Sequence, residues 1–117
     1  MATNLYDYAY DLEQALRKSD EYVYLKKMYD AVENDRIAKS MFDEFRNVQM
    51  QLQQKQMAGA DITEDEIMEA QVVANRVQEN EKVTRLMEAE QRMSMAIAEL
   101  NKIIMMPLDE LYSSMNG

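Results

Sequence analysis

The stretch Ile62-Thr63-Glu64-Asp65-Glu66-Ile67 decides how this chain is read. Thr63 stands where an N-cap belongs and Glu66 follows three residues later, the spacing of a capping box in which hydroxyl and carboxylate each accept the other residue's backbone N–H. Ile62 and Ile67 occupy the N′ and N4 positions of a hydrophobic staple. A helix begins here. Asp61, Glu64, Asp65, Glu66 and Glu69 cluster at its start, where the positive end of the helix dipole favours negative charge, so they read as dipole complementation. A calcium loop would need glycine at the sixth position from Asp61 and a bidentate acid at the twelfth. Those positions hold Glu66 and Val72.

Toward the C-terminus the apolar stripe of this helix is Ile67, Ala70, Ala74 and Val77. The next stripe, Val83, Leu86, Met93, Ile97, Leu100 and Ile104, starts one residue out of heptad phase. Either the helix breaks between residues 78 and 82 with Asn80 as a new cap, or it continues and its buried face rotates. The break is the preferred reading. A helix over residues 81–105 would be about 37 Å long at 1.5 Å per residue, comparable to a whole compact domain of this size, so its ends are expected to project or to meet another subunit. Met106-Pro107 predicts its end, because proline disfavours helical geometry in the residue before it and suits the first position of a new turn. Pro107-Leu108-Asp109-Glu110-Leu111-Tyr112 then reads as a short terminal helix, and residues 113–117 as a frayed tail.

Toward the N-terminus, Ile37, Met41, Phe45, Val48 and Leu52 form a stripe spaced four, four, three and four, nearly a heptad seam. It predicts a helix from Arg36 to Met57. The seam fails where Lys55 and Gly59 would continue it, and Ala58-Gly59-Ala60 reads as the helix end. Gln49, Gln51, Gln53, Gln54 and Gln56 cover the solvated faces. Before that, Ser19 caps a helix carrying Tyr22, Leu25, Met28 or Tyr29, and Val32 on its apolar side, interrupted at Asn34 and Asp35. In the first segment Tyr6, Tyr8 and Tyr10 alternate as in a strand, while Leu5, Ala9, Leu12 and Leu16 keep helical spacing. Helix is preferred: Asn4 can cap it, and no other run could supply a partner strand. The whole is an all-α fold of antiparallel helical hairpins or a bundle, about five helices plus a short terminal one, forming one domain over residues 1–112.

Composition narrows function. The 117 residues contain no histidine and no cysteine but twelve methionines. That removes the commonest general base, the thiolate nucleophile, disulfides and Cys-type metal sites. A net charge of −9 repels nucleic-acid phosphates and anionic lipid. No apolar run approaches the length of a membrane span, and residues 1–7 lack the basic and apolar regions of a signal peptide, so a cytoplasmic address is expected.

Met93-x-Met95 and Met105-Met106 superficially resemble thioether copper motifs, but softness alone selects weakly without histidine or cysteine. The plainer reading is that flexible thioethers fill helix interfaces; a third is an adaptable exposed surface for partners. Glu90 is the one acid on the stripe of the long helix. It is read as an edge residue paired with Arg92 or Arg85, against the sharper idea of a polar residue fixing register across an interface. Six of seven tyrosines precede residue 30, which suits either a protein interface or the half-buried flank of a helix hairpin. With no phosphate loop and no nucleophile elbow, no enzyme, cofactor or metal is expected.

The expected function is therefore carried by surfaces. The seam and the long helix supply a candidate self-association surface: Met41, Phe45, Val48, Leu52, Leu86, Glu90, Met93, Ile97, Leu100 and Ile104. The expected partners are a second copy and another protein, not nucleic acid or membrane. The alternative is a small-molecule or acyl-chain binding module with a methionine-lined pocket.

Three segments carry a resemblance to a known family: Tyr6-Asp7-x-Ala9-Tyr10-Asp11-Leu12-Glu13, Leu52-Gln53-Gln54-Lys55-Gln56-Met57-Ala58-Gly59, and Leu86-Met87-Glu88-Ala89-Glu90-Gln91-Arg92-Met93-Ser94-Met95 continued by Glu99-Leu100-Asn101-Lys102-Ile103-Ile104 and Pro107-Leu108. Together they resemble the YheA-like branch of the YlbF/YmcA-type family of small helical bacterial proteins. The resemblance implies an all-helical cytosolic protein that self-associates. Better-known members are non-enzymatic regulators that assemble with partner proteins influencing competence, sporulation, biofilm formation and messenger-RNA processing. Some carry cysteines tied to iron–sulfur clusters. This chain has none, so that cofactor does not carry over.

Overall fold

The computed structural model describes residues 4–116. They form five helices with no strand among them: α1 (Leu5–Lys18), α2 (Asp20–Glu33), α3 (Arg36–Met57), α4 (Glu64–Glu79) and α5 (Glu81–Asn116). The all-α expectation holds, and each boundary has a local cause. Asn4 Oδ1 accepts the Tyr6 N–H, Ser19 Oγ that of Tyr22, and Asp35 Oδ1 those of Ile37 and Ala38, satisfying donors that a helix start leaves unpaired. At α4 the capping box is complete: Thr63 Oγ1 accepts from Glu66 N, and Glu66 Oε1 accepts from Thr63 N, both at 3.2 Å. Helix α3 ends in a Schellman turn. Gly59 adopts φ 72°, while Gly59 N donates to Gln56 O and Ala60 N to Lys55 O, the paired bonds of that motif.

The break expected between residues 78 and 82 is present. Asn80 is extended (φ −97°, ψ 112°), and its side chain accepts the Val83 N–H, so one residue separates two helices. The phase shift in the apolar stripe records that change of direction.

The expectation for the C-terminal end is overturned. There is no separate terminal helix: α5 runs through Pro107 to Asn116. Proline removes one i→i−4 bond, leaving the Ile103 carbonyl without its helical partner. Both residues are exposed, so water can solvate that carbonyl, and the interruption is survivable. Residues 113–116 of the expected tail are helical, and Gly117 lies outside the described residues.

Ion pairs between helices show how they run. Lys55 pairs with Glu66 and Arg76 with Glu44, so α3 and α4 are antiparallel. Arg92 lies 5.8 Å over the Tyr24 ring and Lys82 pairs with Asp35 at 2.9 Å, so α2 and α5 are antiparallel as well. Both pairs are rooted at one end, where Val32, Ala38, Phe42, Val77, Val83 and Leu86 form the core, with Leu25, Met28, Phe45 and Met87 against it.

The buried stripes differ in detail from the expected ones. On α3, Ala38 and Phe42 are buried while Ile37 is exposed, because the root of the fold meets the helix one residue round from the seam. Lys55, where the seam was expected to fail, is half-buried and reaches Glu66; a long stem covers apolar surface while its ammonium finds a carboxylate. On α4 the buried residues are Val73 and Val77, and Ile67 stays exposed. On α2, Met28 rather than Tyr29 faces inward.

Candidate interaction surface

A core of short side chains at one end leaves much of the molecule uncovered. The radius of gyration is 19.4 Å and the extents are 57 × 37 × 20 Å, against about 13 Å expected for a compact domain of this length. The thin dimension is about two helix diameters. Two elements account for the rest. Helix α1 buries no residue and touches only α2 among the described residues. Beyond Leu100, α5 has no buried or half-buried residue in 101–114.

The uncovered faces are apolar. Helix α1 exposes Leu5, Tyr6, Tyr8 and Tyr10 at 64–78%. The outer part of α5 exposes Ile103, Ile104, Met105, Met106, Leu108, Leu111 and Tyr112 at 43–62%. Neither pattern suits a surface meant only for water, since a monomer's largest apolar patch is normally about 300–600 Å².

The residues expected to self-associate are mostly drawn into the chain's own packing. Leu86 and Met93 are buried. Phe45 packs against the core, and Met41, Val48, Leu52 and Leu100 are half-buried. Only Ile97 and Ile104 are exposed, the latter at 62%. The seam on α3 is spent on the chain's own fold, chiefly against α4. Glu90 pairs with neither Arg92 nor Arg85. Its partner is Arg46 on α3, whose guanidinium also lies 4.6 Å over the Phe42 ring, while Arg85 pairs with Glu81 on its own helix. Periodicity could not reveal this pair, because the partners are 44 residues apart.

The methionines also sit differently from expectation. Met93 is buried and Met28, Met41 and Met87 are half-buried, but Met50, Met57, Met68, Met95, Met105 and Met106 are exposed. The widening gap between α3 and α5 is a cleft of about 370 Å³ lined by Phe42, Phe45, Met50 and Met87 with Gln49, Gln53 and Gln91. It opens broadly to solvent and does not form a methionine-lined pocket. Of the tyrosines, Tyr22 and Tyr24 flank the α2–α5 pair half-buried, as the hairpin reading expects, and Tyr6, Tyr8, Tyr10 and Tyr29 are exposed.

The electrostatics is structural. The backbone N–H of Ala38, then the Lys82 ammonium, hold the Asp35 carboxyl below its ordinary range. Lys55, then the Thr63 backbone and hydroxyl, hold Glu66 down. Glu33 raises Lys39, and Glu13 raises Arg17. Each shift favours the charged form and serves a helix end or an ion pair. Among the described residues no group of His, Cys, Asp or Glu is placed to hold a metal, and no helix is long and apolar enough to cross a membrane.

This architecture has relatives. UPF0342 protein YheA of Bacillus subtilis is 61% identical over 117 residues, covering all of both chains. A UPF0342 protein of Bacillus pumilus is 54% identical over 114 residues, covering 97% of each. Among solved structures, a protein of unknown function (DUF964) from Bacillus stearothermophilus superposes with a TM-score of 0.84 at 46% identity, covering 92% of this chain and 95% of that one. The structure of yheA from Bacillus subtilis gives 0.75 at 51% identity, covering 94% and 100%. The family described as control of competence regulator ComK, YlbF/YmcA, matches residues 5–109, which takes in all of α1 to α4 and most of α5. The chain belongs to the YlbF/YmcA family.

Proposed function

We propose that this protein is a non-enzymatic, self-associating interaction module whose contact surface is formed by α1 and the outer part of α5, and which acts through a protein partner in regulation of the kind its family description names. One observation carries the reading. The chain exposes 9758 Å², whereas a compact monomer of 13.7 kDa would expose about 6,600 Å². The excess of roughly 3,200 Å² is several times the approximately 800 Å² that each partner of an ordinary stable complex contributes. Helix α1 and the outer part of α5 contribute exposed apolar faces to it, and burying such faces is the dominant drive to association.

The outer part of α5 adds a second support. It is a helix of about four turns with a proline inside it and no neighbour, and an isolated helix of that length is marginal in water, with internal proline costing about 3 kcal/mol more. Packing against another chain supplies what the helix lacks. The net charge of −9 argues for a protein partner over nucleic acid, and the regulatory reading follows the family. A cytoplasmic setting is part of the same proposal, resting on the absence of cysteine and on the family. Sedimentation equilibrium at micromolar concentration tests the core of it. The expected mass is twice 13.7 kDa or more; a strict monomer would overturn the self-association.

A further inference from the structure

Resting on that self-association, we infer that the outer part of α5 is an antiparallel self-pairing arm: residues 97–112 of one copy lie against the same residues of a second copy, related by a twofold axis near Met106. The argument starts from the exposed stripe. Ile97, Leu100, Ile104, Leu108 and Leu111 recur along one side of α5 at spacings of three and four, the pattern of a helix face meant for another helix. On its opposite side lie Glu99, Lys102, Glu110 and Ser113. Among the described residues nothing covers this stripe beyond Leu100, and α1, the other uncovered helix, makes no contact with α5.

The stripe matches its own reversal. Reflection about residue 106 carries Ile104 onto Leu108, and Leu100 to within one residue of Leu111. Two copies running in opposite directions therefore place Ile104 against the partner's Leu108 and Leu100 against the partner's Leu111, each contact made twice. That is what an isologous interface requires: the same patch used on both sides. The antiparallel arrangement also opposes the two helix dipoles favourably. The exposed excess of the whole chain, to which this arm contributes, exceeds what one side of a stable dimer needs.

The absence of native cysteine allows a clean test in the full-length chain. Ile104→Cys and Leu108→Cys are made separately, mixed in equal amounts, allowed to exchange and oxidised mildly; a disulfide needs Cα atoms within about 7 Å. Antiparallel pairing predicts that the 104–108 mixed dimer becomes the main cross-linked species, several-fold over either variant oxidised alone. Ile104→Cys cross-linking to itself as readily as to Leu108→Cys would overturn the arrangement in favour of parallel arms. No cross-link in any combination, from variants that still sediment as dimers, would overturn it in favour of another face such as α1. A wild-type chain that sediments as a monomer would instead remove the self-association beneath it.

Discussion

At the residue scale, the polar side chains of this protein serve helix ends. Asp35 is the clearest case, accepting two backbone N–H groups of α3 and the Lys82 ammonium of α5. Glu66 joins a capping box to an ion pair with Lys55. In the folded chain both carboxyls lie below the ordinary carboxylate range of about pH 4, so the unfolded chain takes up protons first as pH falls. The stability they confer is full above that range and is lost as pH drops through their folded values. Urea midpoints measured at pH 7 and pH 3.5 should fall further for the wild type than for the Asp35→Asn, Glu66→Gln double variant. Equal falls would show that these two groups do not govern the acid sensitivity. The capping box was legible in the sequence, because Thr63 and Glu66 stand three residues apart in one helix. The partners Lys82 and Lys55 were not, since nothing local relates them to Asp35 or Glu66.

At the element scale, the fold is two antiparallel pairs, α2 with α5 and α3 with α4, joined at one small core. Leu86 is among the largest side chains fully buried there, at 1% exposure, and it lies where the two pairs meet. Leu86→Ala should therefore destabilise the protein by about 2–5 kcal/mol, read as a lowered urea midpoint. A change below 1 kcal/mol would mean that the root is not the core that holds the pairs together. The surface pairs Arg46–Glu90 and Arg76–Glu44 bridge elements but each partner is a third or more exposed, a setting in which each pair contributes about 0–1 kcal/mol. Helix spacing anticipated the interior-facing residues of α2 and of the first half of α5 well, because the two helices pack chiefly against each other. It was displaced by one residue at the start of α3, where the helix meets several neighbours at once. It also assigned the seam on α3 to a partner chain, since periodicity states that a face is buried without stating by what.

At the scale of the whole molecule, the proposed self-association puts part of the stability in the assembly, a reading supported by the large exposed area and the long radius of gyration. A protein that folds partly through association gains stability by mass action. Its melting temperature should accordingly rise by several degrees between about 1 µM and 100 µM protein, followed by circular dichroism. A concentration-independent melting temperature would indicate that α1 and the arm of α5 contribute no associative stability. The expected helix of residues 81–105 already pointed past the limits of a compact domain. The 36-residue α5 extends that by continuing through Pro107, which lies on the surface where its missing bond is solvated.

What the sequence determined by itself was local: the starts of the five helices, the caps at Asn4, Ser19 and Thr63, the break at Asn80, the helix end near Gly59 and the lack of histidine and thiol chemistry. These depend on residues within about four positions of one another, the range over which backbone hydrogen bonds and capping side chains act. Only the tertiary structure decided which apolar faces the chain covers for itself and which it leaves open. Two stripes with the same spacing, that of Met41 to Leu52 and that of Ile97 to Leu111, look alike in sequence. The first is folded against α4 because the turn at Gly59 returns the chain along it. The second extends beyond the last neighbour among the described residues, and in the proposed assembly its burial comes from another molecule.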